Sequence, residues 1–144
     1  MRSNDGTHER RRMTFLGFSI YRAKNRAKTG SKTVFKTDGK RFSRAKASMK
    51  ARIRLVKHWP VEEQVKMINA VLRGHFNYYG IAGNAAKVVG FWNFTIREWK
   101  HSLSNRSQKG HLEWARLKTI LEQHPLAAPK IKLSYSQLAA YSRL

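Results

Sequence analysis

The stretch "VEEQVKMINAVLRGHFNYYG", Val61 to Gly80, decides how the chain is read. Val61, Val65, Ile68, Leu72, Phe76 and Tyr79 recur every three or four residues, so they share one face of a helix about five turns long. Pro60 suits the first turn of such a helix, where Glu62 and Glu63 meet the positive end of its dipole. Gly80 and Gly83 stop it. Beside the apolar row runs a polar one, Asn69, Arg73 and Asn77, and then a third, Val71, Gly74 and Tyr78. In the third row the absent side chain of Gly74 would let a backbone or a ligand come close. Phe76 and Tyr79 are therefore expected in a core, and Arg73, Asn77 and Tyr78 toward a second surface. Spacing alone favours Tyr78 as a packing aromatic.

Outward from this helix, both flanks keep the helical period. Upstream, Ala45, Met49, Ile53 and Val56 form an apolar stripe from Ser43, with Lys46, Lys50, Arg54 and Lys57 on the adjacent face. Downstream, Asn84 is placed to cap a third helix carrying Val88, Phe91, Ile96, Trp99 and Leu103. A fourth helix from Lys109 to Gln123 carries Leu112, Leu117 and Leu121, and Pro125 and Pro129 are expected to end the regular structure. Before the helices, "TFLGFSIYR" (Thr14 to Arg22) reads as a strand that Gly17 breaks without ending. A basic loop, "AKNRAKTGSK", leads to a return strand at "TVFK", and Asp38-Gly39 is a turn signal. The fold class expected is mainly α, a small bundle of about four helices with a short basic N-terminal β-ribbon. The divisions are a flexible basic N-terminus over 1–12, the ribbon over 13–42, the helical domain over 43–124 and a tail over 125–144.

Charge narrows the function. The 144 residues hold 30 Lys and Arg against 8 Asp and Glu, a formal net charge of +22. Residues 1–58 contribute +15 of it, so the basic arm comes first. Such an excess points to a polyanionic partner, nucleic acid before an acidic membrane, because the cations are spread along the chain rather than gathered on one amphipathic helix. No apolar run approaches the roughly 18 residues of a membrane span, and no signal peptide is legible, so the chain is expected in the cytoplasm. The absence of cysteine excludes disulfides, zinc fingers and thiol catalysis. The six histidines lack zinc spacing, "TGSKT" lacks the Gly-Lys adjacency of a phosphate loop, and no Gly-x-Ser-x-Gly elbow occurs.

Cations suited to phosphate are Arg22, Lys24, Arg26, Lys28 and Lys32 around the basic loop, then Lys40, Arg41 and Arg44, then the row Lys46, Lys50, Arg54 and Lys57. Arg73, Asn77 and Tyr78 add a second candidate face. Trp59, Trp92, Trp99 and Trp114 have the chemistry to stack bases, though helical spacing places most in the core.

The residues also carry a resemblance. "LRGHFNYYG" resembles the Arg-Gly-x-x-Asn-Tyr-Tyr signature of the maturase-specific (thumb, or X) domain of group II intron reverse transcriptases. "FLGF" (Phe15 to Phe18) resembles the primer-grip turn that ends the palm of those enzymes. "NRSQKGHLEWARL" (Asn105 to Leu117) resembles their Arg-Ser-Gln-basic segment with its following Trp. "PLAAPKI" (Pro125 to Ile131) resembles their Leu-Pro-x-Pro-Arg-Ile tail, with Ala127 in place of the first Pro and Lys130 in place of Arg. The four blocks keep the family's order over residues 13 to 133.

The resemblance implies binding of intron RNA, help with its folding and splicing, and grip on a template–primer duplex. Its implied partners are the intron RNA, that duplex and a separate reverse transcriptase palm and fingers chain. Polymerisation needs close carboxylates holding two metal ions. The sequence has no Asp-Asp pair, and Glu62-Glu63 reads as dipole complement, so this chain is not expected to polymerise alone. No cofactor is expected, Mg2+ belonging to a palm the sequence does not contain. A Met followed closely by palm-end sequence suits a shortened element or one half of a split protein. Two other classes are a free-standing basic RNA-binding protein of the ribosomal kind and, less fittingly, a helix-turn-helix regulator, whose reading helix would be less apolar than the third helix here.

Overall fold

A computed structural model describes residues 13–24, 30–106 and 112–142. Among the described residues it contains three strands, β1 (Met13–Phe15), β2 (Phe18–Lys24) and β3 (Ser31–Thr37), and five helices. These are α1 (Gly39–Leu55), α2 (Val61–Tyr79), α3 (Ala85–Ser104), α4 (Trp114–Gln123) and α5 (Tyr135–Ser142). The expected flexible segment 1–12 lies outside the described residues.

The strands form one antiparallel sheet in the order β1-β2-β3. Gly17 does end the first strand, contrary to the single strand expected over Thr14–Arg22. Leu16 and Gly17 both have positive φ, 51° and 83°, in the two-residue turn that joins Phe15 to its partner Phe18. Positive φ at both central residues matches the twist of a tight hairpin. Lys24 and Lys32, expected in the loop, stand on paired strands, Lys24 opposite Ser31 and Lys32 opposite Ala23. Asp38-Gly39 turns out to start a helix rather than turn a hairpin. The Asp38 carboxylate accepts from the Arg41 N–H at 3.3 Å, so α1 begins four residues before Ser43. The Asp38 N–H in turn donates to the Gly17 carbonyl at 2.8 Å, tying the helix start to the hairpin.

The core is the meeting of the three long helices. Met49 and Ile53 of α1, Ile68, Leu72 and Phe76 of α2, and Val88, Phe91 and Trp99 of α3 are all buried, with Leu117 of α4 closing one end. Each comes from the apolar row that the helical period marks. Three polar side chains join this core in a way the period does not show. Gln64 accepts from the Trp99 indole N–H at 3.0 Å and donates to the Trp59 carbonyl at 2.8 Å, closing the α1–α2 connection over the core. Asn84 stands at the start of α3 without a side-chain cap bond. Its amide instead bridges sheet and bundle: it accepts from the Thr37 N–H at 2.8 Å and donates to Thr37 Oγ1 and to the Tyr79 carbonyl. Asn69, expected on a polar surface row, is buried and grips the tail, donating to the Pro125 carbonyl at 3.1 Å and accepting from the Ala127 N–H at 2.8 Å.

Regular structure continues past Pro129, against expectation. Ile81 and Leu133 form a parallel bridge. The Gly80 carbonyl accepts from Lys132 N–H at 2.6 Å, and Ala82 N–H donates to the Leu133 carbonyl at 2.7 Å. The tail thus satisfies buried backbone groups left by the end of α2, and α5 follows. The approach is close enough that a Cβ on Gly80 would collide with the Lys130 carbonyl oxygen. α4 begins at Trp114; of its expected first residues, 109–111 lie outside the described ones and Leu112 and Glu113 are not helical.

Candidate nucleic-acid interface

The cations of α1 divide by helix face. Lys46, Lys50 and Arg54, with Lys57 in the turn just past the helix end, run along the side that meets α3, while Lys40, Arg41 and Arg44 are exposed at its start. Lys50, Arg54 and Lys57 line one small cleft of about 90 Å³ with Glu98, His101, Ser102 and Asn105 of α3 and its end. One turn earlier, the Lys46 ammonium lies 4.7 Å from the centre of the Phe42 ring and 5.7 Å from that of Phe94. Lys87, which the sequence reading missed, lies 4.6 Å from the same Phe42 ring. Long apolar stems along the bundle hold these charged heads at its surface.

Among the described residues the only ion pairs are those of Lys66 with Glu62 and Glu63, and both are exposed. Among the described residues the α1 cations have no carboxylate within ion-pairing distance, although Glu98 lines the same cleft. That leaves a row in which positive charge exceeds negative, the arrangement a polyanion neutralises by releasing its counterions.

The other candidates fall elsewhere. Arg22 and Lys24 share one sheet face with Phe18 and Ile20, as strand alternation requires, and both are exposed. Lys32 reaches Tyr135 of α5, its ammonium 3.4 Å from the hydroxyl and 4.6 Å from the ring centre. Arg26 and Lys28 lie outside the described residues. Arg73 and Asn77 are exposed on α2, apart from the α1 row. Tyr78 is half exposed but engaged: its ring stacks on Phe18 at 5.6 Å and 15°, and its hydroxyl donates to the Leu16 carbonyl. Tyr79 meets Phe18 from the same helix end, centroids 5.0 Å apart. The two tyrosines of the signature thus hold the β1–β2 hairpin against α2. Burial, then the neighbouring Tyr78, raise the Tyr79 pKa.

Gly74 has no close neighbour, and a Cβ there would meet nothing within 4 Å. It opens a groove of about 470 Å³ between α1 and α2, floored by His75 and Phe91 and edged by Arg52. The His75 ring stacks on Phe91 at 3.8 Å and 17°, and burial lowers its pKa from 6.5 to about 4. It is therefore neutral near pH 7 and adds nothing to the positive surface. Of the tryptophans, Trp99 is wholly buried, Trp92 partly, and Trp59 and Trp114 are 48% and 56% exposed. Among the described residues no cluster of side chains is suited to hold a metal ion, and no helix is long and apolar enough to cross a membrane.

A basic helical bundle with a cation-rich first helix, braced by a hairpin seated on two tyrosines, is the class of protein that this geometry defines. The chain belongs to the group II intron maturase-specific domain family, whose model matches residues 42–120. That span runs from α1 into α4 and includes the Arg73–Tyr79 signature, while the sheet and the tail lie outside it. No curated protein and no solved structure matches the chain.

Proposed function

We propose that this chain is an RNA-binding maturase domain that assists folding and splicing of a group II intron RNA. The observation that carries the reading is the row Lys46, Lys50, Arg54 and Lys57, which has no ion-pair partner among the described residues and runs along α3 in a chain of this family. Lys40, Arg41 and Arg44 extend the row, and Arg22 and Lys24 add cations on the sheet. Docking of the Phe15–Phe18 hairpin on Tyr78 and Tyr79 supports the further reading of that hairpin as the end of a polymerase palm seated on its thumb. A template–primer duplex and a separate palm and fingers chain are the partners that go with it.

The mechanism is positional and electrostatic. Phosphates bind the α1 row, and the bundle presents that row at fixed spacing to a folded RNA. If about six cations meet phosphates, log affinity falls with log salt at a slope of about −4 to −5. The test is binding of the chain to a structured group II intron RNA, a length-matched duplex and a single strand across a salt series. Preference for the intron above physiological salt is expected. Equal binding to all three that vanishes with salt would leave a basic domain without intron recognition. Replacing Lys50, Arg54 and Lys57 together by Gln should flatten the slope by about 2 to 3 without loss of thermal stability.

A further inference from the structure

A second groove, between α3 and α4, has the features of a binding site for an unpaired base. It encloses about 470 Å³, within the range of small-ligand sites. Trp92, Asn93 and Arg97 of α3 line one side, and Trp114, Leu117 and Lys118 of α4 the other. Two observations converge on it. Trp114 is 56% exposed, whereas the other aromatic of the groove, Trp92, is packed into the bundle. Lys100 is only 8% exposed, has no carboxylate partner among the described residues, and its ammonium lies 4.8 Å from the centre of the Trp114 ring, a cation–π contact that orients the ring. The residues lining the groove include two cations and no acid.

We propose that this groove binds single-stranded RNA, with an unpaired base stacked on Trp114 and the flanking phosphates on Arg97 and Lys118. Charge decides for RNA over an apolar protein helix, because the rim is cationic on both walls. The chemistry is that of sequence-tolerant single-strand sites, in which an aromatic face takes the base and guanidinium or ammonium groups follow the backbone. The inference rests on the RNA-binding reading, but it uses a different surface from the α1 row, so the two can fail separately.

The test measures anisotropy of a short labelled oligouridine, and of an RNA duplex of the same length, with the full chain. Trp114→Ala should weaken single-strand binding by about five- to a hundredfold, the loss of one stacked base, while duplex binding stays within about twofold. Trp114→Phe should retain most of the affinity, and Arg97→Gln with Lys118→Gln should lose it. Iodouridine crosslinking to the unaltered chain should place the adduct on Trp92 or Trp114. Unchanged single-strand affinity in Trp114→Ala with a native circular dichroism spectrum, as expected if the groove receives a protein helix, would overturn the inference. So would an equal loss on duplex, or adducts confined to α1 or the sheet. If these occur while the triple α1 substitution still weakens binding, only this inference falls. A chain that binds neither RNA overturns both.

Discussion

His75 is a histidine that the fold holds neutral. Its ring lies against Phe91 and beside Tyr79, its Nε2 has no hydrogen-bond partner among the described residues, and burial lowers its pKa to about 4. The unfolded chain protonates it near 6.5, the folded chain only near 4, so the unfolded state binds the extra proton between those values. Stability should therefore fall as the pH drops from about 6.5 to about 4, by up to about 3 kcal/mol at the lower limit. His75→Phe should remove most of that dependence, read as the urea midpoint across the pH range. Asn69 and Gln64 show the same separation of residue type from role. Both are polar residues on α2 that the bundle buries because each finds partners far along the chain. A polar residue four positions from an arginine reads as solvated face until the tail that it grips is known.

At the scale of elements, the decisive junction is the hairpin on the end of α2. Leu16 pays for its left-handed backbone with about 1–2 kcal/mol, and the Tyr78 hydroxyl on its carbonyl, with the Phe18 stack, offsets part of that cost. Tyr78→Phe should then cost about 1 kcal/mol of stability in denaturant melts and leave RNA affinity in place. If the exposed Arg73 face meets RNA, Arg73→Ala should leave the melt unchanged and weaken RNA binding by about 1–3 kcal/mol. Opposite outcomes would exchange the two roles. Residue pattern alone reads one strand through this hairpin because Leu-Gly is a weaker turn signal than Asn-Gly, whereas the resemblance of Phe15 to Phe18 to a primer-grip turn does mark it. Asp38-Gly39 misled in the other direction, since a side chain that nucleates a turn also caps a helix.

For the whole molecule, the tail is part of the bundle. Leu126 and Ala127 pack on the core, Asn69 holds the Pro125 carbonyl and the Ala127 N–H, the Gly80 carbonyl accepts from Lys132 N–H, and Ala82 N–H donates to the Leu133 carbonyl. Removing residues 125–144 should destabilise the chain by about 3 kcal/mol or more, since it uncovers apolar surface and strands several buried polar groups. A lowered urea midpoint with slow tumbling changes in NMR spectra would register it, and an unchanged midpoint would show the bundle to be complete at Gln123.

The sequence by itself determined the three long helices, their apolar faces and the scale of the positive charge. Period and composition are local properties, and burial follows from them wherever an amphipathic face has somewhere to pack. The tertiary structure decided which polar residues are buried, that the tail completes the end of α2, that Tyr78 holds the hairpin, and that Trp114 meets Lys100. The tail, hairpin and Trp114 contacts join residues 14 to 62 positions apart, and no local pattern encodes them: a side chain's partner depends on where the chain returns.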